Sequence, residues 1–212
     1  MMYHTDAIVL KKEEWNEADL LVTVLSEDFG KIRLLAQGAR KHGAKLQGHL
    51  EPGSRSDLSF VIGRNGSRLT TARLGNFFLP IRQSFMKLQA LQTILLLLDG
   101  NLLEERDRAS ELFRLVRLTF EALGAARDHA ANRITAWFTI RFLDHLGFLL
   151  PPDAPEAKFI PSLLELKPRP LEEIMAIGGD EGKFDPEFRW LGGYLRGSVI
   201  LPQPVKSLDF EL

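Results

Sequence analysis

The chain has no cysteine among its 212 residues. Disulfide bonds, thiolate nucleophiles and cysteine-ligated zinc sites are therefore excluded for this sequence. Long apolar runs are missing too, because the longest, Ile94 to Leu98, is far shorter than the roughly 20 residues that cross a bilayer. The stretch from Met1 to Trp15 lacks the pattern of a signal peptide. We therefore expect a soluble cytoplasmic protein with no membrane partner.

An excess of charge of one sign is also absent, because 27 Lys and Arg stand against 28 Asp and Glu. This balance excludes a protein that is cationic throughout, so the position of the charges matters more than their sum. Residues 30–49, GKIRLLAQGARKHGAKLQGH, contain Lys and Arg but not one acidic residue. A basic loop within a run of short strands is typical of a nucleic-acid-binding surface.

Five short apolar or β-branched runs precede Leu79, and each is bounded by turn residues. The fourth and fifth runs flank Asn65-Gly66, which is the strongest two-residue signal for a hairpin. Five strands in about 75 residues, with one long loop after the third, predict the five-stranded OB-fold barrel, whose open face binds oligonucleotides. An SH3-like barrel would give a similar pattern. The predicted strands are residues 6–12, 20–25, 31–37, 58–62 and 69–74.

After Pro80 the hydrophobic period becomes helical. The predicted fold class is therefore α+β, with an N-terminal OB-fold β-barrel followed by a mainly α-helical part. The predicted domains are residues 1–79, which would bind nucleic acid, and residues 80–212, which include a Pro-rich segment at 151–170. The predicted helices, of which the first is capped by Ser84 and stopped by Gly100, are residues 84–99, 103–123, 128–146, 171–177 and 186–197.

No catalytic constellation is visible in the sequence. The five histidines lack the i, i+4 spacing with a partner acid that zinc hydrolases use. The glycine pairs match neither the P-loop nor the dinucleotide-binding pattern. We therefore expect no enzyme, no metal site and no cofactor.

The candidate phosphate-binding residues are the cations of the basic stretch and the arginines of the predicted hairpin. Glycines 38, 43 and 48 would allow the backbone to approach phosphates closely. Phe60 is the only aromatic residue nearby in sequence, so contacts to the DNA backbone are expected to dominate over base recognition. The alternative is a solvated run that binds nothing. The candidates are Lys31, Arg33, Arg40, Lys41, Lys45, Arg64, Arg68 and Arg73.

A second candidate site lies on the third predicted helix, where Arg133 and Trp137 stand in an apolar sequence. The Pro-rich segment that follows is poorly helical, so part of this aromatic face is expected to lack a cover and to form a groove. Because Arg can donate two parallel hydrogen bonds to a carboxylate, such a groove would suit an acidic partner tail. The alternative is that Arg133 pairs with a carboxylate of the chain or extends to solvent.

The first 52 residues contain a series of short landmarks. They are Glu17-Ala18-Asp19, Leu21-Val22, Gly30-Lys31, Gly38-Ala39-Arg40-Lys41, Leu46, Gly48 and Leu50-Glu51-Pro52. These landmarks resemble the N-terminal domain of the RecO family of bacterial recombination mediators. Leu146-Gly147-Phe148 followed by Pro151, and Lys206-Ser207 further on, are similar to later landmarks of that family.

The resemblance implies a protein that binds single- and double-stranded DNA and anneals complementary strands. It implies partnership with RecR and with the C-terminal tail of single-strand-binding protein in loading RecA, and no enzymatic activity. Many members carry a four-cysteine zinc module, so this sequence is similar to a short member without it. The family's usual lysine before Gly38 is Gln37 here. The alternative function is an OB-type protein-interaction adaptor that does not bind DNA.

Overall fold

The structure is a computed structural model. The chain divides into two compact units, one of Met1–Phe78 with Leu102–Arg117 and one of Leu79–Asn101 with Leu118–Leu212. Five β-strands and five α-helices lie in the described part of the chain. The described residues are 1–44, 46–64, 66–104, 109–147 and 165–177.

All five predicted strands are confirmed, and most extend beyond the apolar run that indicated them. Polar residues at the barrel ends join the strands because ladder hydrogen bonds use the backbone, so Lys12 pairs with Val22 and Glu13 with Leu21. The strands are β1 (Met2–Trp15), β2 (Asp19–Ser26), β3 (Gly30–Ala36), β4 (Arg55–Gly63) and β5 (Gly66–Asn76).

The strands close into a barrel in the order β1-β2-β3-β5-β4. β1 pairs antiparallel with both β2 and β4, and β4 pairs antiparallel with β5. A short parallel pairing of β3 with β5, in which Leu35 lies opposite Arg68, completes the ring. This five-stranded barrel is OB-like and confirms the predicted α+β fold class.

The barrel core is built from residues that alternate along the strands, as the two-residue period of a strand requires. Phe60 is 1% exposed and stacks on Tyr3 with ring centroids 5.5 Å apart. Phe29 meets the Phe60 ring edge-on at 5.3 Å. Phe60 is therefore a core residue and is not available to stack on a nucleobase.

The helices follow the barrel strands in sequence. Ser84 caps the second helix as predicted, because its Oγ accepts a hydrogen bond from the Lys87 N–H at 3.4 Å. That helix does not stop at Gly100 but continues to Asn101, whose side-chain amide donates to the Leu97 carbonyl at 2.8 Å. The helices are α1 (Leu79–Arg82), α2 (Phe85–Asn101), α3 (Ser110–Ala125), α4 (Ala131–His145) and α5 (Leu171–Ala176).

The predicted start of the second long helix is wrong. Leu103 and Glu104 are not helical, and α3 begins at Ser110 and continues through Gly124. Leu102 and Glu104 contact β3 instead, although leucine and glutamate are good helix formers. The predicted helix at 186–197 and most of the Pro-rich segment lie outside the described residues. No helix in the described ranges is both long enough and apolar enough to span a membrane.

Asp6 on β1 is a half-buried carboxylate with unequal oxygens. Its Oδ2 accepts a hydrogen bond from Arg55 Nε at 2.7 Å, whereas Oδ1 is buried without a hydrogen-bond partner. Burial raises the pKa of Asp6 above its ordinary 3.8, and Arg55 offsets this only in part. The folded protein therefore binds this proton more tightly than the unfolded chain does. The contribution of Asp6 to stability falls as the pH rises from below 3.8 through the raised pKa.

Asp6→Asn is expected to remove this pH dependence because asparagine does not titrate. The free energy of unfolding of the variant, relative to wild type, should rise as the pH increases from about 3 to 7. Urea denaturation at steps of pH measures both proteins, and the other carboxylates cancel in the difference. A difference that is flat, or that falls with pH, would show that burial does not disfavour the charged form of Asp6.

Candidate nucleic-acid interface

Strand β3 presents its cations on the outer face of the barrel. Ile32 and Leu34 lie in the core, whereas Lys31 and Arg33, which alternate with them, reach the surface. Leu35 continues the outer row and is half-buried. The predicted candidates Lys31 and Arg33 therefore share one face, two positions apart on a rigid strand.

A cleft of about 420 Å³ lies over this outer row. Its lining combines apolar side chains, two cations, one carboxylate and two small residues at the start of β5. Strands β2 and β3, together with the ends of β1 and β5, thus frame the cleft, which is where OB barrels bind oligonucleotides. The lining residues are Trp15, Leu21, Lys31, Ile32, Arg33, Leu35, Gly66, Ser67 and Glu104.

Trp15 is the site residue that the sequence reasoning missed. It is the last residue of β1, and its side chain is 48% exposed at the rim of the cleft. Asn16 follows it in the left-handed region at φ 56°, a conformation that asparagine tolerates better than most residues, so the chain turns at once into β2. An aromatic residue just before such a turn was the available signal, and the neighbouring acidic residues concealed it.

The basic loop after β3 is attached to the turn between β1 and β2. The Asp19 carboxylate accepts a hydrogen bond from the Gly38 N–H at 2.7 Å, and the Ala18 carbonyl accepts one from the Arg40 N–H at 2.9 Å. Gly38 has φ +66°, which a residue with a side chain rarely adopts. These bonds fix the start of the loop near the Trp15 end of the barrel.

Arg40 and Lys41 differ in how far they are engaged. The Arg40 guanidinium donates to the Asn16 carbonyl at 3.4 Å and forms an ion pair with Glu14 at 3.0 Å. Lys41 is exposed, and no ion pair of its side chain occurs with the described residues. Lys45 lies outside the described residues. Arg40 thus has a structural partner, and Lys41 is available to a phosphate.

The predicted arginines of the hairpin are all exposed but lie at different distances from the cleft. Arg68 is opposite Leu35 in the parallel pairing and donates to Gln37 Oε1 at 3.3 Å. Arg64 lies two residues before Gly66, which lines the cleft. Neither arginine lines the cleft, but each lies within two residues of one that does.

Arg73 is farther along β5. It lies opposite Asp57 of β4, six residues beyond Ser67, which corresponds to roughly 20 Å of strand. An oppositely charged residue directly across the ladder also reduces its local potential. The structure therefore brings Lys31, Arg33 and Arg68 together and sets Arg73 apart.

Residues 102–104 lie against the cations of β3. Arg33 Nε is 2.6 Å from Glu104 Oε1, and Lys31 Nζ donates to the Leu102 carbonyl at 3.2 Å. The Arg33 and Glu104 side chains remain 49% and 46% exposed. An exposed pair of this kind contributes about 0–1 kcal/mol, so another anion can replace the carboxylate at small cost.

The expected groove near Arg133 and Trp137 is wrong for the described residues. Their exposed fractions are only 3% and 4%. Arg133 Nη2 donates to the Ile177 carbonyl, and Trp137 Nε1 donates to the Arg169 carbonyl at 3.0 Å. Residues 165–177, including α5, provide the cover that the Pro-rich sequence did not suggest. Both donors are bonded to backbone carbonyls within the chain, which is a structural role.

The zinc module common in the resembled family has no donors to build it here. Cysteine is absent from the sequence, and no cluster of three or more histidine or acidic residues occurs within the described ranges. The residues present therefore do not fit a structural zinc ion of that kind.

The barrel and its cleft define a protein of the OB type, with a cationic cleft at the position where such barrels hold oligonucleotides. Residues 1–78 match the family described as Recombination protein O N terminal. Residues 1–78 therefore form a RecO-type N-terminal domain, as the sequence landmarks indicated.

Curated relatives agree with the match. The chain is similar to the DNA repair protein RecO of Bifidobacterium longum subsp. infantis, 30% identical over 148 residues, which are 69% of this chain and 62% of that protein. The protein of the same name in Desulforamulus reducens is 36% identical over 152 residues, 72% and 57% of the two chains. The DNA repair protein RecO of Roseiflexus sp. is 31% identical over 147 residues, which are 69% of this chain and 50% of that protein. The chain thus spans half to about three fifths of each relative.

Proposed function

We propose that this protein acts in DNA repair and recombination by binding DNA on the outer face of its barrel, and that it is not an enzyme. The cationic cleft over β2 and β3 is the observation that carries this proposal. The relatives' name, DNA repair protein RecO, supports the repair role. The binding domain would be residues 1–79, and residues 80–212 would contact protein partners.

Phosphate groups are the proposed contacts of the cations. Lys31 and Arg33 line the cleft, and Arg68 and Arg64 lie within two residues of the β5 residues that line it. Lys41 and Arg40 extend the surface on the side of the β1–β2 turn. Lys45 and Arg73 belong to the proposed set with smaller contributions. Contacts to phosphates carry no sequence information, so binding should tolerate any sequence.

Strand annealing follows from the same surface. Two complementary strands repel each other through their phosphates, and neutralising those charges on one protein face lowers the repulsion while leaving base edges free to pair. The proposal therefore includes single- and double-stranded DNA as ligands. RecR, the tail of single-strand-binding protein and RecA loading in the cytoplasm belong to it as well, and rest on the relationship to the RecO proteins.

One observation favours the alternative of an adaptor that binds only protein. Arg33 and Arg40 already have acidic partners, Glu104 and Glu14, so these two cations are partly neutralised within the chain. The DNA-binding function and the adaptor function differ in whether the purified protein binds DNA at all.

Anisotropy of labelled single strands of unrelated sequence, and of a duplex, tests the proposal. Binding to all of them is expected, with affinities for the single strands within about threefold of one another because the contacts are to phosphates. Pairing of complementary labelled strands, followed by energy transfer, should be faster with the protein than without it. Absence of binding at low salt would favour the adaptor.

A further inference from the structure

The cleft has an apolar wall that phosphate binding does not require. Leu21 of β2 lies directly opposite Leu35 of β3 in the register, and both are half-buried on the outer face. Trp15 adds an exposed indole to the same cleft. An aromatic ring beside two leucines is the surface on which the flat face of a nucleobase stacks, whatever the base.

The cleft also contains a position already held by an anion. The Glu104 carboxylate lies 2.6 Å from Arg33 Nε, and Lys31 lines the cleft from the same strand. A phosphodiester of the DNA backbone carries the same single negative charge as a carboxylate, and it also offers two oxygens to the guanidinium fork. The place that Glu104 occupies is therefore one that a phosphate can take.

The size of the cleft limits its occupant. Its volume of about 420 Å³ is near the lower end of the roughly 300–1,000 Å³ that small-molecule sites span. A base within a duplex has both faces covered by its neighbours and cannot lie on an indole without leaving the stack. The cleft therefore suits one unpaired nucleotide and not a base pair.

We propose that this cleft binds a single unpaired nucleotide of a DNA strand. The base stacks on Trp15 against Leu21 and Leu35, and a phosphate displaces Glu104 from Arg33. The inference rests on the proposed DNA-binding function and deepens it, because it assigns to the cleft a preference for single strands that cations alone do not give. Glu104 acts as a competitor built into the chain.

Trp15→Ala tests the base contact. Affinity for a labelled mixed-sequence single strand should fall about tenfold, because stacking of a base on the indole is lost, and affinity for a blunt-ended duplex without unpaired nucleotides should stay unchanged. Trp15→Phe keeps a ring and should retain most of the affinity. Equal losses for single strand and duplex, or no loss for either, would overturn the nucleotide site. In that case a Lys31→Glu, Arg33→Glu double variant separates the two claims. If it binds DNA more weakly than wild type, the proposed DNA-binding function stands although the nucleotide site does not.

Glu104→Gln tests the phosphate position. Removing the competing charge should tighten single-strand binding about two- to fivefold, the range expected from an exposed ion pair. Glu111→Gln, an exposed acid at the start of α3, is the matched control and should change the affinity less. Urea denaturation confirms that each variant is folded. An affinity of Glu104→Gln equal to or below that of wild type would overturn the assignment of the phosphate position.

Discussion

Replacing Lys31 and Arg33 together by glutamate is expected to weaken binding of single-stranded DNA by about 100-fold or more. Each hydrogen bond to a charged group contributes about 1.5–3 kcal/mol, so losing two removes about 3–6 kcal/mol. In wild type the proposed phosphate must displace Glu104 from Arg33, which costs at most about 1 kcal/mol because the pair is exposed, and the variant avoids this cost. Each 1.4 kcal/mol corresponds to about tenfold in affinity.

The control for this variant carries the same change of charge at other exposed positions of the same unit. Lys11→Glu with Arg114→Glu keeps the cleft intact, since neither residue lines it or belongs to the proposed set. We expect the control to lose less than about tenfold, through the general field alone. Fluorescence anisotropy at one fixed salt concentration measures all three proteins. Equal losses in the two double variants would remove the cleft as the DNA site.

Phe60→Ala is expected to destabilise the barrel by about 3–5 kcal/mol. The Phe60 side chain is fully buried, so its truncation to alanine leaves a cavity beside Tyr3 and Phe29 and removes the ring contacts with both. Because small domains are stable by only about 5–15 kcal/mol in total, this single change brings the barrel close to unfolding. Guanidinium denaturation followed by far-ultraviolet circular dichroism gives the free energy of unfolding.

Trp15→Ala serves as the comparison, because it removes an aromatic side chain of larger size from the same barrel. An exposed position without a core role should lose no more than about 0.5–1 kcal/mol. Comparison of the two variants separates a residue that stabilises the fold, Phe60, from one whose proposed role is binding, Trp15. A loss at Trp15 as large as that at Phe60 would mean that the indole is structural, and a loss at Phe60 below about 1 kcal/mol would contradict the core described above.

The strands could be predicted because residues close together in sequence indicate each of them. Apolar and β-branched runs of the right length, separated by turn residues such as Asn65-Gly66, are sufficient to locate five strands and to predict an OB-type barrel. Their full length was not predictable from hydrophobicity, because charged residues such as Lys12 and Glu13 are paired through the backbone.

The start of α3 could not be predicted because contacts distant in sequence decide it. Leu102 and Glu104 interact with Lys31 and Arg33, whereas the local helical period placed Glu104 inside a helix beginning at residue 103. For the same reason, the sequence does not show that cations of residues 30–49 are paired with acidic residues elsewhere in the chain. A count of charges along the chain does not reveal that Arg40 lies beside Glu14 on a different strand.

The exposure of two tryptophans could not be predicted from the sequence, and the physical reason is the same for both. Trp137 was expected to be exposed, yet residues 165–177 bury it and its indole N–H is bonded to the Arg169 carbonyl. Trp15 was overlooked, yet it is exposed beside the cleft. Exposure of a single side chain depends on which distant segment packs over it, and no local pattern encodes that choice.

The salt dependence of single-strand binding tests the central claim most directly. If about four cations of the barrel contact phosphates, the logarithm of the association constant should fall against the logarithm of salt concentration with a slope of about −3, at roughly 0.7 per phosphate. The Lys31→Glu, Arg33→Glu variant should show a slope of about −1.5, since two contacts are lost. A wild-type slope near zero, or one that the double variant leaves unchanged, would contradict binding of the DNA backbone by this face of the barrel.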